Sequence, residues 1–174
     1  MAHRTNLLLT LLLIAGRGSA QEPGLFIYGK VDDLITAAEL EGVRVSVQEV
    51  GADTSTRIYS PITTGQLTYE FTLSEQGHYE VRAEAPGKIS KYVLIDARGV
   101  PPKSWSDGHG INLDIALLDS IHGHDLSMFN APYAVGRYKR GTFRFDIAGN
   151  AKMRDYTQAL LKKTGQKMAP RPRQ

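Results

Sequence analysis

Cysteine is absent from all 174 residues. That absence excludes disulfides, thiolate metal sites, thiol catalysis and attachment of lipid through an N-terminal cysteine. Equally missing are a G-x-S-x-G elbow, an H-E-x-x-H helix, a phosphate-cradling loop and a G-x-G-x-x-G turn after a strand. Tryptophan occurs once, at Trp105. The longest apolar run, Leu7 to Ala15, falls far short of the ~20 residues needed to cross a hydrocarbon core. A permanent membrane helix is therefore not expected, and neither is a recognisable enzyme.

What the run does resemble is an export signal. "MAHRTNLLLTLLLIAGRGSA" has a basic start at His3 and Arg4, an apolar centre, and the small residues Gly18 and Ala20 before Gln21. Residues 1–20 are read as a leader that is removed. The remaining 154 residues suffice for one domain of ordinary size. A chain of about 150 residues buries roughly 68–70% of its unfolded surface, so it can hold together without covalent staples.

Charge is unevenly divided. From Arg137 onward eleven Lys and Arg stand against only Asp146 and Asp155, whereas residues 21–136 carry eight basic and sixteen acidic side chains. An acidic body with a basic end points to an anionic partner. For an exported protein nucleic acid is a poor choice; an anionic envelope polymer, lipid headgroups or an acidic protein face fit better. The alternative is that the basic end complements its own acidic body.

The body alternates at period two. In "VRVSVQEV" Val43, Val45 and Val47 share one face, and Arg44, Ser46 and Gln48 the other. "LTYEFTL", "YEVRAEA" and "INLDIAL" repeat the pattern, "FIYGKV" and "TRIYSPI" add two strands, and "SKYVLIDA" reads as central because it is apolar on both faces. Seven strands with one oily and one wet face predict an all-β antiparallel sandwich. "DLITAAELEG" is expected to form at most one short turn.

After Pro132 a hairpin turning near Gly141 is predicted, with Phe143 and Phe145 on one face and Arg144 on the other. "NAKMRDYTQALLKKTG" predicts a helix capped by Asn150 and ended by Gly165, with Lys162 and Lys163 in its last turn and an apolar stripe of Met153, Tyr156 and Leu160. The expected organisation is a sandwich over 21–119, a loop, basic hairpin and helix packed on it over 120–165, and an unstructured tail over 166–174.

Several stretches resemble the carboxypeptidase regulatory-like domain, a transthyretin-like sandwich. They are the G-x-V start at Gly29 to Val31, "GVRVSV" at 42–47, "YEFTL" at 69–73 and "GHYEVRAEAPG" at 77–87. The run through "DARGVPP", "LDIALL" and "DLSMFNAPYAVGRY" is similar to small exported proteins of Bacteroidota that carry this domain. Two departures fall on loops: "DDLITAAELE" is longer than the usual connection, and "APGK" has lysine where an aromatic commonly stands. The resemblance implies a sandwich and no catalysis, and patterns of strand and turn speak weakly about function.

Two stretches are chemical candidates. "SIHGHD" sets His122 and His124 around Gly123, with Asp119 and Asp125 alongside. Extended, it could point both imidazoles to one side of a metal, but the spacing is no zinc signature, and a polar bend explains it as well. "VPPKSWSDGHG" places Trp105 in a Pro- and Gly-rich loop beside Asp107 and His109. An exposed indole there would stack on a sugar ring or anchor a protein contact; folded back, it would cover a sheet edge.

The sequence thus predicts a non-catalytic, exported binding or assembly module of a Gram-negative cell envelope, in the periplasm, needing no cofactor or metal. Arg137, Lys139, Arg140 and Arg144 are expected to meet an envelope protein or anionic polymer. The alternative is a carbohydrate-binding module built on Trp105, Asp107 and His109.

Overall fold

The computed structural model describes residues 24–53, 57–60, 68–142 and 144–168. The leader expected over 1–20, Phe143 and the tail from 169 lie outside the described residues.

Among the described residues eleven strands form two facing sheets. The first contains β1 (Leu25–Asp33), β4 (Thr68–Leu73), β6 (Lys88–Ile89), β8 (His109–Asn112) and β9 (Ile115–Asp119) in the order β4-β1-β9-β6, with β8 also beside β1. The second contains β2 (Arg44–Glu49), β3 (Ile58–Tyr59), β5 (His78–Glu84), β7 (Lys91–Asp96), β10 (Ala134–Lys139) and β11 (Arg144–Gly149) in the order β11-β10-β7-β5-β2-β3. A five-residue helix, α1 (Pro102–Ser106), leads from the second sheet to the first, and α2 (Ala151–Thr164) follows the hairpin.

The predicted all-β sandwich with one substantial helix is therefore present. Its pairing is mixed rather than antiparallel throughout, because β1 runs parallel to β8 and β9, and β10 parallel to β7. The chain passes to the opposite sheet between the members of each parallel pair, which supplies the long crossover that such pairing needs. Side-chain alternation is indifferent to a neighbour's direction.

Alternation fills the space between the sheets. Val45 and Val47, Tyr69 and Phe71, Val81 and Ala83, Val93 and Ile95 belong to one buried cluster. "INLDIAL" divides at Leu113 and Asp114 into β8 and β9 while its register against β1 is kept. There Asp114 Oδ1 accepts from the Lys30 amide at 3.1 Å, and the buried Tyr69 hydroxyl donates to the Leu113 carbonyl. Burial pushes the Tyr69 phenol well above its ordinary range. Gly29 is required at this crossing: a Cβ would lie 2.3 Å from the Leu113 oxygen.

β9 is buried on both faces, with Ile115 and Leu117 pointing between the sheets, and Ala116 and Leu118 into a second cluster. That second core is closed by Phe129 of the 3-10 turn Ser127–Asn130 and by Met153, Leu160 and Leu161 of α2. The helix ends are as expected: Asn150 Oδ1 accepts from the Met153 amide at 3.1 Å, and Gly165 adopts φ 70°. The docking stripe is Met153, Thr157, Leu160 and Leu161, with Tyr156 half-buried beside it. Beneath this layer Lys88 joins Asp33 and Asp119, bridging β1, β6 and β9.

Candidate binding site at the hairpin end

The hairpin expected to pack on the sandwich is a constituent of its second sheet, as the two outermost strands on one side. Ala134, Gly136, Tyr138, Phe145 and Ile147 face inward. Gly136 makes this possible, because a Cβ would come within 2.5 Å of Ile147 Cδ1 and 2.7 Å of Ile95 Cδ1. The two isoleucines meet across β10 only where no side chain intervenes.

Alternation then commits Arg137, Lys139, Arg144 and Asp146 to the outer face, with Arg140 in the turn, all exposed. Register sets Lys139 directly opposite Arg144, and Arg137 opposite Asp146. Facing like charges destabilise a strand pair. Lys139 is offset by Asp146 at 2.7 Å, an exposed ion pair of small net worth. On the other flank Arg137 faces Asp96, which is already engaged by Arg98 at 2.8 Å. The Arg98 hydrogen bonds hold the Asp96 carboxyl at about 2, against the opposing effect of burial. Among the described residues no ion pair holds Arg137, Arg140 or Arg144, and no ion pair joins the segment from Arg137 onward to the acidic body.

The second predicted group sits behind this face. Trp105 lies on α1 rather than in a loop, is only 8% exposed, and its indole N–H donates to the Ser74 carbonyl at 3.0 Å. Its own carbonyl accepts from Gly24 and Gly108 at 3.1 Å each, so the residue staples α1 to the start of β1. No ring face is left for a sugar, which corrects the stacking role expected of it; the folded-back alternative is the one realised. Asp107 is exposed after α1.

His109 does reach the hairpin. Its ring meets Tyr138 at 5.3 Å and Phe145 at 5.6 Å, both edge-on, and its Nε2 is 3.2 Å from Ser104 Oγ. Ser104 Oγ is in turn 2.8 Å from the Tyr138 hydroxyl. The two groups read separately from sequence thus stand back to back, with His109, Ser104 and Tyr138 bracing the hairpin from inside and the cations displayed outside. A serine beside a histidine can act as a nucleophile when a third group orients the imidazole. Here the hydrogen bonds and ring contacts of His109 tie α1 and β8 to the hairpin.

His122 and His124 are exposed on the bend between β9 and the 3-10 turn, where Gly123 has φ 75°. Asp119 pairs with Lys88, and Asp125 accepts from the Ser127 amide at 2.9 Å. No group of three metal-binding side chains forms among the described residues.

Two features lie outside the residues that the sequence points to. Phe26 and Tyr28, 38% and 40% exposed, stack on the outer face of β1 with centroids 5.2 Å apart and planes 26° apart. Their parity, opposite to Leu25 and Ile27, was the available signal. The other is Lys91, which occupies an inward position in β7 and is 3% exposed.

No protein-family model and no curated protein matches the chain. Among solved structures, one described as the dioxygenase domain of a novel dioxygenase carbohydrate-binding protein fusion, from the cellulolytic bacterium Streptomyces sp. SirexAA-E, is 18% identical. The match covers 57% of this chain and 84% of that one with a TM-score of 0.32. A superposition at that score carries no argument about fold or activity. Among the described residues no helix is long and apolar enough to cross a membrane.

Proposed function

We propose that the chain is a non-catalytic binding module of the carboxypeptidase regulatory-like kind, exported to the periplasm, whose hairpin end docks on an acidic protein of the cell envelope. The observation carrying this reading is the cation set of β10, β11 and their turn, where among the described residues Arg137, Arg140 and Arg144 form no ion pair and Lys139 is held opposite Arg144. A sheet edge that keeps like charges face to face is under electrostatic tension that an external anion relieves. A protein is favoured over a polyanion because β11 is the outermost strand, and an extended acidic segment can add to such an edge through main-chain hydrogen bonds.

Placing a photo-crosslinking residue at Thr142, exposed in the hairpin turn, tests this in intact cells. Capture of one acidic envelope protein supports the reading. Capture of polysaccharide or lipid alone, or of nothing above a control position on β4, contradicts it.

A second reading rests on Phe26 and Tyr28. Two exposed rings stacked on one another, flanked across the ladder by Glu70 and Thr72 on β4 and by Gly110 and Asn112 on β8, offer aromatic surface to the C–H face of a sugar. Glycan-array binding lost in Tyr28→Ala would favour it, and silence of the unmodified protein would remove it.

A further inference from the structure

Between α2 and the sandwich lies a space of about 230 Å³, lined by Leu34, Lys91, Tyr133, Arg154, Gln158 and Met168 among others. We infer that it is a binding site for a small carboxylate with a short apolar tail. This goes beyond the proposed docking role and uses none of the hairpin cations.

Three observations converge. The first is charge: Lys91 and Arg154 both line the space, and none of its lining residues is acidic. Lys91 is nearly inaccessible, donates to the Ala116 carbonyl across the sandwich, and holds its ammonium 4.7 Å from the centroid of the Tyr133 ring. A lysine so deeply buried is rare, and an ammonium in such surroundings attracts an anion more strongly than it would in water.

The second is the helix. Arg154, Thr157 and Gln158 fall at i, i+3 and i+4 and so share one face of α2. Arg154 closes the first turn, at the end whose dipole favours negative charge, and Thr157 and Gln158 follow one turn on. Among the described residues the Arg154 guanidinium pairs with its neighbour Asp155 at 3.2 Å, an exposed pair that an incoming carboxylate can replace. Bidentate hydrogen bonding by a guanidinium selects a planar carboxylate.

The third is size and polarity. Leu34, Tyr133 and Met168 provide an apolar wall. The volume is below the ~300–1,000 Å³ of drug-sized ligand sites, so the guest has only a few carbons.

The test is a titration of the full chain with sodium butyrate, acetate and inorganic phosphate, followed by backbone amide NMR. Saturable shifts at Lys91, Tyr133, Asn150 and Arg154, with butyrate binding more tightly than acetate, are expected. Arg154→Gln, on the exposed face of α2, should weaken butyrate about tenfold, the loss of one charge-assisted contact. Lys91→Met should abolish binding. If that variant fails to fold, as its circular dichroism would reveal, Arg154→Gln decides alone. The site is refuted by shifts that never saturate, by equal response to phosphate, or by butyrate affinity unchanged in Arg154→Gln.

Discussion

The hairpin β10–β11 and the helix α2 are consecutive, both basic, and opposite in what they do with their charge. In α2 the apolar stripe is consumed by a second core, and Lys162 and Lys163 sit in the last turn where the helix dipole stabilises cations. In the hairpin the inner face is consumed by Tyr138, Phe145 and Ile147, while the outer face carries three cations and the turn a fourth, with one ion pair to them among the described residues. Among the described residues no ion pair ties this basic end to the acidic body. Its helical half is built into a core, and the outer face of its extended half is exposed.

This contrast predicts very different responses to substitution. The largest loss should follow Leu118→Ala, which opens a cavity beneath α2 at a fully buried position and should lower stability by about 2–5 kcal/mol in urea unfolding. Arg137→Ala in the hairpin should stay within about 0.5 kcal/mol by the same measurement. Similar losses from the two would erase the distinction.

Next comes acid. The Asp33 carboxyl beneath the helix layer is raised by burial but lowered further by hydrogen bonds from Lys88, Thr36 and Ile35, and it rests at about 2 against an ordinary 3.8. A depressed value contributes stability that is complete above pH 3.8 and disappears as pH falls through 2. Asp33→Asn should therefore lose about 2 kcal/mol at pH 6, with the gap to the unmodified protein closing near pH 2.

Smaller is the cap. Asn150→Ala removes the acceptor of the Met153 amide and should cost about 1 kcal/mol, with a matching fall in melting temperature. Smallest is Arg144→Glu, which replaces a like-charge opposition with an attraction to Lys139 and should stabilise by a few tenths of a kcal/mol while reducing partner capture.

Much of this was legible in sequence for local reasons. Alternation in "LTYEFTL" and "YEVRAEA" translates directly into β4 and β5, because one face of each is buried and the other wet. Asn150 and Gly165 mark the ends of α2 because capping is a matter of a few adjacent residues. What escaped is long-range. The parallel pairs β1–β9 and β7–β10 depend on which sheet a connection crosses to, and no spacing within a strand encodes it. The burial of Trp105 depends on the Ser74 carbonyl, distant in the chain. The exposed pair Phe26 and Tyr28 and the inward Lys91 were written in parity alone, and attention to the polar positions of oily strands would have found them.

The central claim is that the hairpin's cations serve contact and not folding. The direct measurement is paired melting and in-cell partner capture for one variant carrying Arg137→Gln, Lys139→Gln, Arg140→Gln and Arg144→Gln together, which removes the cations without setting like charges opposite one another. The account predicts an unaltered melting transition with the partner lost. An intact partner on a normally folded variant would contradict it.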